Sequence, residues 1–162
     1  MARRDKYNYY LDIAQTVAER STCMRRMFGS IIVNHDEIIS TGYNGAPRGR
    51  KNCIDVGECT RERLGVPRGE RYEMCRSVHA EANAIISAAR RDMIGATIYL
   101  VCLDPQTGEV VPDTSSCAMC KRLIINAGIA KVVIRDDMES CRVLYVEDWV
   151  NEDESLSGMR GY

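Results

Sequence analysis

Two short motifs in this sequence combine residue types that can hold a metal ion and move a proton: His79-Ala80-Glu81 and Cys117-Ala118-Met119-Cys120. Each falls where a helix is expected to begin. A cysteine pair at i and i+3 in a first helical turn can aim both sulfurs at one point, and the positive helix end favours thiolate over thiol. His79 offers a third ligand. Such a Cys₂His set suits zinc and keeps the fourth tetrahedral position for water. Two thiolates and a neutral imidazole cancel the ion's charge, so a nearby base is valuable. Glu81 can take the proton without being a ligand.

Either motif alone is ambiguous. A lone C-x-x-C serves as a structural zinc knuckle or a redox pair, and a lone histidine at a helix start is commonly a solvated or capping residue. A thioredoxin-like role is disfavoured, because that motif usually follows the first strand. Together, with a strand between them, the motifs resemble the signature of zinc deaminases. The chemistry implied is hydrolytic deamination of a cytosine or purine base by a zinc-bound water. Glu81 would act first as base and then as acid, because ammonia leaves readily and an amide anion does not.

The elements that must position these residues follow from apolar spacing. Tyr10, Ile13, Ala14 and Val17 predict a helix over Tyr7–Arg20. Gly29–Val33 and Glu37–Thr41 are β-rich runs flanking Asn34-His35-Asp36, a hairpin pattern in which His35 is a turn residue. The stretch Gly42–Arg76 holds six glycines, two prolines and three cysteines, and so long an irregular segment needs an anchor. A helix is expected over Val78–Arg91, then a strand over Ala96–Leu103, a break at 104–108 and an extended excursion over Glu109–Ser115. Cys117–Asn126 reads as a helix stopped by Gly128. Strands over Lys131–Arg135 and Val143–Glu147 complete one domain, residues 1–150, and residues 151–162 form a polar tail. Helices covering a sheet make the fold class α/β.

Composition narrows the function classes. The 162 residues carry 22 Lys and Arg against 23 Asp and Glu, for a net charge of -1. Nucleic acid as a partner is thereby disfavoured. No apolar run approaches the ~20 residues of a membrane span, and the N-terminus lacks a signal peptide, so a cytoplasmic location is expected. Eight cysteines in such a chain point to metal or catalysis rather than disulfides.

Several segments resemble, in order and spacing, those of the deoxycytidylate (dCMP) deaminase family, in the style of the bacterial late-competence members. They are Ser21-Thr22-Cys23, the run Thr41 to Gly49, His79 to Ile85, and Ile124 to Ile129. The resemblance implies a three-layer α/β/α sandwich of cytidine-deaminase-like type with a central mixed sheet, assembled as a homo-oligomer, often a hexamer. It implies conversion of dCMP to dUMP, with Asn44 holding the nucleotide near its sugar and the Ala80 N–H at the pyrimidine edge. It also implies dCTP or dTTP as allosteric ligands of the Gly42–Gly49 loop. Two features depart from the pattern. Ser116 stands where proline is usual, though serine is a good N-cap, and the segment 103–115 is long.

A monophosphate needs cations, for which Arg25 and Arg26 are candidates, as are Arg48, Arg50 and Lys51. Cys23, Cys53, Cys59 and Cys75 are expected to hold a second, structural zinc that anchors the Gly-rich segment. Arg25, Arg61 and Arg76 would offset its negative charge, and relatives with a second zinc from this region strengthen the expectation. The alternative is four unlinked thiols. Cys102 and Cys141 read as small buried hydrophobes. Competing functions are deamination of another base or of a polynucleotide, and a zinc-stabilised binding module without activity. The presence of Glu81 argues against the last.

Overall fold

The computed structural model describes residues 1–152. Its helices and strands are α1 (Lys6–Ala18), β1 (Met27–Asn34), β2 (Glu37–Tyr43), α2 (Cys53–Val56), α3 (Thr60–Arg63), α4 (Ala80–Ile86), α5 (Arg90–Met93), β3 (Thr97–Leu103), α6 (Ala118–Ala127), β4 (Lys131–Arg135), β5 (Cys141–Tyr145) and α7 (Val146–Asn151), with a 3₁₀ turn at Tyr72–Met74. The strands form one mixed sheet in the order β2-β1-β3-β4-β5. Only β3 and β4 run parallel, and α6 supplies the crossover between them.

Side-chain alternation divides the core into two layers. Ile31, Val33, Tyr99, Val101 and Val133 face Tyr10, Leu11, Ala14 and Ala18 of α1. Their neighbours Ile32, Ile98, Leu100, Val132 and Ile134 face Ala84, Met93, Ile124, Ala127 and Val146 on the opposite side. The sheet thus lies between α1 and the α4–α7 layer, the three-layer α/β/α arrangement expected. Strands apolar on both faces are the expected signature of a sheet covered twice.

The hairpin turn is built as its sequence predicts, with His35 and Asp36 both at positive φ (49° and 62°), the pattern of a two-residue I′ connection. The expected helix over Val78–Arg91 is broken. The Ala84 carbonyl accepts the Ser40 hydroxyl at 2.7 Å, and the Ala88 N–H turns to Ile85 instead, so the helix tightens and ends. The last strand closes at Tyr145, where the Val146 N–H bonds to the Ala130 carbonyl and α7 begins with Glu147 and Asp148 in its first turn. Helix α7 reaches Asn151, one residue past the expected domain end. The rest of the predicted tail lies outside the described residues. No helix among the described residues is long and apolar enough to cross a membrane.

Candidate active site

Helix α4 reaches its place because β2 carries glycine beneath it. A β-carbon on Gly42 would lie 2.3 Å from the Ala80 carbonyl oxygen and 2.4 Å from the Ala84 nitrogen. Ser30 fixes the same end by donating to the Ala80 carbonyl at 2.9 Å. The N-terminus of α4 therefore rests on the sheet beside that of α6, which the Gly128 cap (φ 81°) terminates at its far end.

The N-cap residues of these two helices are His79 and Cys117, both in extended backbone. His79 Nδ1 stands 3.4 Å from Cys117 Sγ and 3.4 Å from Cys120 Sγ. All three ligand atoms lie within 4.8 Å of one another, and they are the only such group of three or more among the described residues. Cys117 Sγ also accepts from the Cys120 N–H at 3.5 Å. The capping role expected of Ser116 belongs to Cys117, because the helix starts one residue later and the Ser116 side chain is buried instead.

The electrostatics of the triad favour one thiolate, on Cys117, beside a protonated imidazole and a neutral Cys120 thiol. The Cys117 thiol is pushed down to about 4, chiefly by a hydrogen bond from Cys120 and, against its burial, by another from His79. Cys120 shifts up, because its proton serves Cys117 and its burial opposes charge. Burial alone would lower His79, but contacts with the Cys117 and Cys75 sulfurs hold it up at about 10. Two thiols and an imidazole at these separations fit a tetrahedral ion by donor type.

Glu81, in the first turn of α4, is 4% exposed. Burial raises its carboxyl above the usual carboxylate range, while its own backbone N–H and the charge of His79 pull the other way. A carboxyl so placed can carry a proton and also surrender it.

His79, Ala80, Glu81 and Cys117 line a cavity of about 320 Å³, and Cys23, Cys53, Cys59 and Cys75 line the same cavity. The latter four face one space but do not draw together to ligand range as the triad does. Cys53 is raised first by its burial and then by Cys23, with Cys75 and Cys59 adding to it. Cys102 is fully buried in β3, and Cys141 is half-buried at the start of β5.

The family model for the cytidine and deoxycytidylate deaminase zinc-binding region matches residues 4–136. The chain belongs to this family. It is 39% identical over 138 residues to the deoxycytidylate deaminase of Mycobacterium phage D29, spanning 82% of this chain and 96% of that one. It is 36% identical over 126 residues to the deoxycytidylate deaminase of Schizosaccharomyces pombe, spanning 78% of this chain but only 35% of that longer protein. In fold it is similar to the dCMP deaminase of cyanophage S-TIM5 in apo form, with a TM-score of 0.57, 24% identity, and coverage of 84% and 86% of the two chains. The cyanophage enzyme has also been solved in complex with dCMP and dUMP.

Within this deaminase-family chain the other candidate residues fall into two groups. Asn44, Arg25 and Arg26 line the cavity, whereas Arg48, Arg50 and Lys51 lie outside it. The Asn44 amide is largely engaged. Its oxygen accepts from the Phe28 N–H (2.8 Å) and the Ser21 hydroxyl (2.5 Å), and its nitrogen donates to the Arg26 carbonyl (2.9 Å), which leaves one N–H for a ligand. Arg25 pairs with Glu62 at 3.1 Å, and Arg26 lies 3.6 Å from Asp104. The long 104–116 connection is pinned at its end, where Arg142 donates to the Thr114 carbonyl and pairs with Asp136, whose carboxylate accepts the Asp113 N–H. Asp113, Thr114 and Ser115 consequently line the cavity, as do Arg68 and Tyr72. The family resemblance sets the 103–115 loop beside the site, as found, but sequence reasoning missed Arg68 and Tyr72, and nothing in their spacing marks them.

Proposed function

We propose that this chain deaminates dCMP to dUMP and ammonia with zinc held by His79, Cys117 and Cys120. The observation that carries the reading is the buried carboxyl of Glu81 beside a Cys₂His triad, in a cavity rimmed by arginines. The S-TIM5 complex and the naming of the relatives as deoxycytidylate deaminases support the choice of substrate.

Zinc at the triad supplies Lewis acidity for a water nucleophile. Glu81 carries the protons. It accepts one proton from the attacking water and passes it to N3, then accepts the second from the hydroxyl now on C4 and passes it to the departing amine. The C–N bond breaks, ammonia leaves and the water oxygen becomes the carbonyl oxygen at C4. Burial suits Glu81 to this work, because a carboxyl raised towards neutrality both takes and gives. The remaining Asn44 N–H reaches the sugar, and the Ala80 N–H, first of α4 and without a partner inside the helix, meets the pyrimidine edge. Arg25 and Arg26 offer charge to the phosphate.

The same reading gives Cys23, Cys53, Cys59 and Cys75 a structural zinc that ties the 42–76 segment to the domain. It includes dCTP or dTTP as effectors, a homo-oligomeric assembly such as a hexamer, and a cytoplasmic location.

The test is incubation of zinc-loaded protein with dCMP, deoxycytidine and dCTP separately, with Glu81→Gln as control and chromatographic detection. dUMP from dCMP, formed by the wild type only, is the expected result. Equal turnover of deoxycytidine would remove the phosphate from recognition. No turnover of any of the three, even with dCTP added as activator, would overturn the reading.

A further inference from the structure

His79 is supported from a direction that neither motif announces. The Tyr72 ring stands 5.0 Å from the imidazole, centroid to centroid, with the planes at 86°. The Arg61 guanidinium carbon lies 4.4 Å from the centre of that same Tyr72 ring. Arg61 is itself buried, at 7% exposure, and donates through Nη2 to the carbonyls of Pro67 (2.9 Å) and Glu70 (2.6 Å). Arg61, Tyr72 and His79 all line the cavity. A run of three contacts thus leads from the backbone of the 67–70 loop, through a buried cation and an aromatic ring, to the imidazole.

Each contact has a physical role. A perpendicular ring pair sets the positive edge of one ring against the negative face of the other and resists rotation of either. A guanidinium over the tyrosine restrains it further, the more so when desolvated. Imidazoles that ligate metals depend on neighbours that fix the plane of the ring, and here the Tyr72 ring packs on the imidazole in addition to the Cys75 sulfur. The 53–77 segment has only two four-residue helices and one 3₁₀ turn, so little else in it is regular enough to hold such a contact.

We propose that Tyr72, held by Arg61, is a positioning residue for His79, and that through it the folding of the 53–77 segment sets the metal affinity of the His79–Cys117–Cys120 site. This rests on the zinc reading of that triad. Neither residue belongs to the group of three ligand atoms. Their effect is exerted on the orientation of the imidazole.

The experiment is zinc competition against a chromophoric chelator, together with the visible absorption of the cobalt(II)-substituted protein. The signal lost in Cys117→Ser identifies the triad. Tyr72→Leu is expected to weaken zinc at the triad by about 10–100-fold and to alter the cobalt bands, and Arg61→Met is expected to act in the same direction. Tyr72→Phe keeps the ring and should restore both affinity and spectrum. Wild-type affinity and an unchanged cobalt spectrum in Tyr72→Leu would overturn the inference. So would a Tyr72→Phe protein as weak as Tyr72→Leu, since the hydroxyl and not the ring would then matter. Should Tyr72→Leu fail to fold, Arg61→Met and Tyr72→Phe decide by the same readouts. Absence of triad metal in the wild type is a different result, because it strikes the zinc reading itself.

Discussion

Gly42 and Ala80 approach so closely that a single methyl group would not fit between strand and helix: a β-carbon at Gly42 would meet the Ala80 carbonyl at 2.3 Å. The Ala80 oxygen and the Ala84 nitrogen that it would meet are both backbone, so no side chain can swing aside. Gly42→Ala should lift the N-terminus of α4, the end that carries His79 and Glu81. The expected cost is about 1–3 kcal/mol by urea unfolding, in the range of an overpacked core. Turnover should fall further than the fraction folded would explain. Equal stability of variant and wild type would mean that α4 can shift without penalty.

Glu81→Gln retains shape and removes the proton carrier. Zinc content should be unchanged, because Glu81 is outside the group of three ligand atoms, while kcat should fall by about 10²–10⁴-fold. Metal analysis and steady-state kinetics on one preparation check both halves. Ordinary turnover in the variant would remove Glu81 from the mechanism.

Much of this was legible in the sequence, for reasons that can be named. The sheet strands declare themselves by apolar runs such as Ile98–Leu103. The hairpin is marked by Asn34-His35-Asp36, and α6 by a cysteine at its start and Gly128 at its end. The triad was legible because each half of it is local, and the α/β sandwich brings the two helix starts together. What escaped depends on partners distant in the chain. The end of α4 is set by a hydroxyl at Ser40, 44 residues away. The place of Tyr72 beside His79 was hidden because it comes from a segment without periodicity, folded by contacts such as Arg61 to the 67–70 carbonyls. Ser116 looked like a cap by residue type, but its burial beside Glu81 follows from tertiary packing.

Fully buried Arg135 is held by Asp12 (2.7 Å), Asn8 (3.1 Å) and Gln15 (2.8 Å), all from α1. The Asp12 carboxyl is lowered below its ordinary value: burial raises it, but hydrogen bonds from Arg4 and Arg135 outweigh that. A carboxylate lowered on folding contributes stability that is present above its unfolded pKa and lost as pH falls through the folded one. The pair should therefore stabilise the protein fully above about pH 4 and progressively less below it. Asp12→Asn should cost about 1–3 kcal/mol at pH 7, less than breaking a fully buried pair because Asp12 is partly solvated. The difference between variant and wild type should shrink on acidification. A gap that stayed constant from pH 7 to pH 3 would assign the loss to packing instead of charge.

The four cysteines of the irregular segment and its approach make a sharper claim about metal. If they take a structural zinc, total zinc should be about two per chain, and a site of that kind contributes on the order of 10 kcal/mol to the fold it closes. Cys53 is the most informative of the four. It is 5% exposed and begins α2, and it is raised by burial and by each of the other three thiols in turn. Cys53→Ser should lose one zinc, lower the melting temperature and leave the triad's metal in place. Chelation of the wild type should reproduce the loss of stability, since both routes withdraw the same anchor from the 42–76 stretch. Zinc at one per chain in the wild type, or a Cys53→Ser protein that keeps both its second zinc and its melting temperature, would leave the segment held by protein contacts such as Asn52 to Thr22, Glu62 to Arg25 and the Gly45–Val78 bridge.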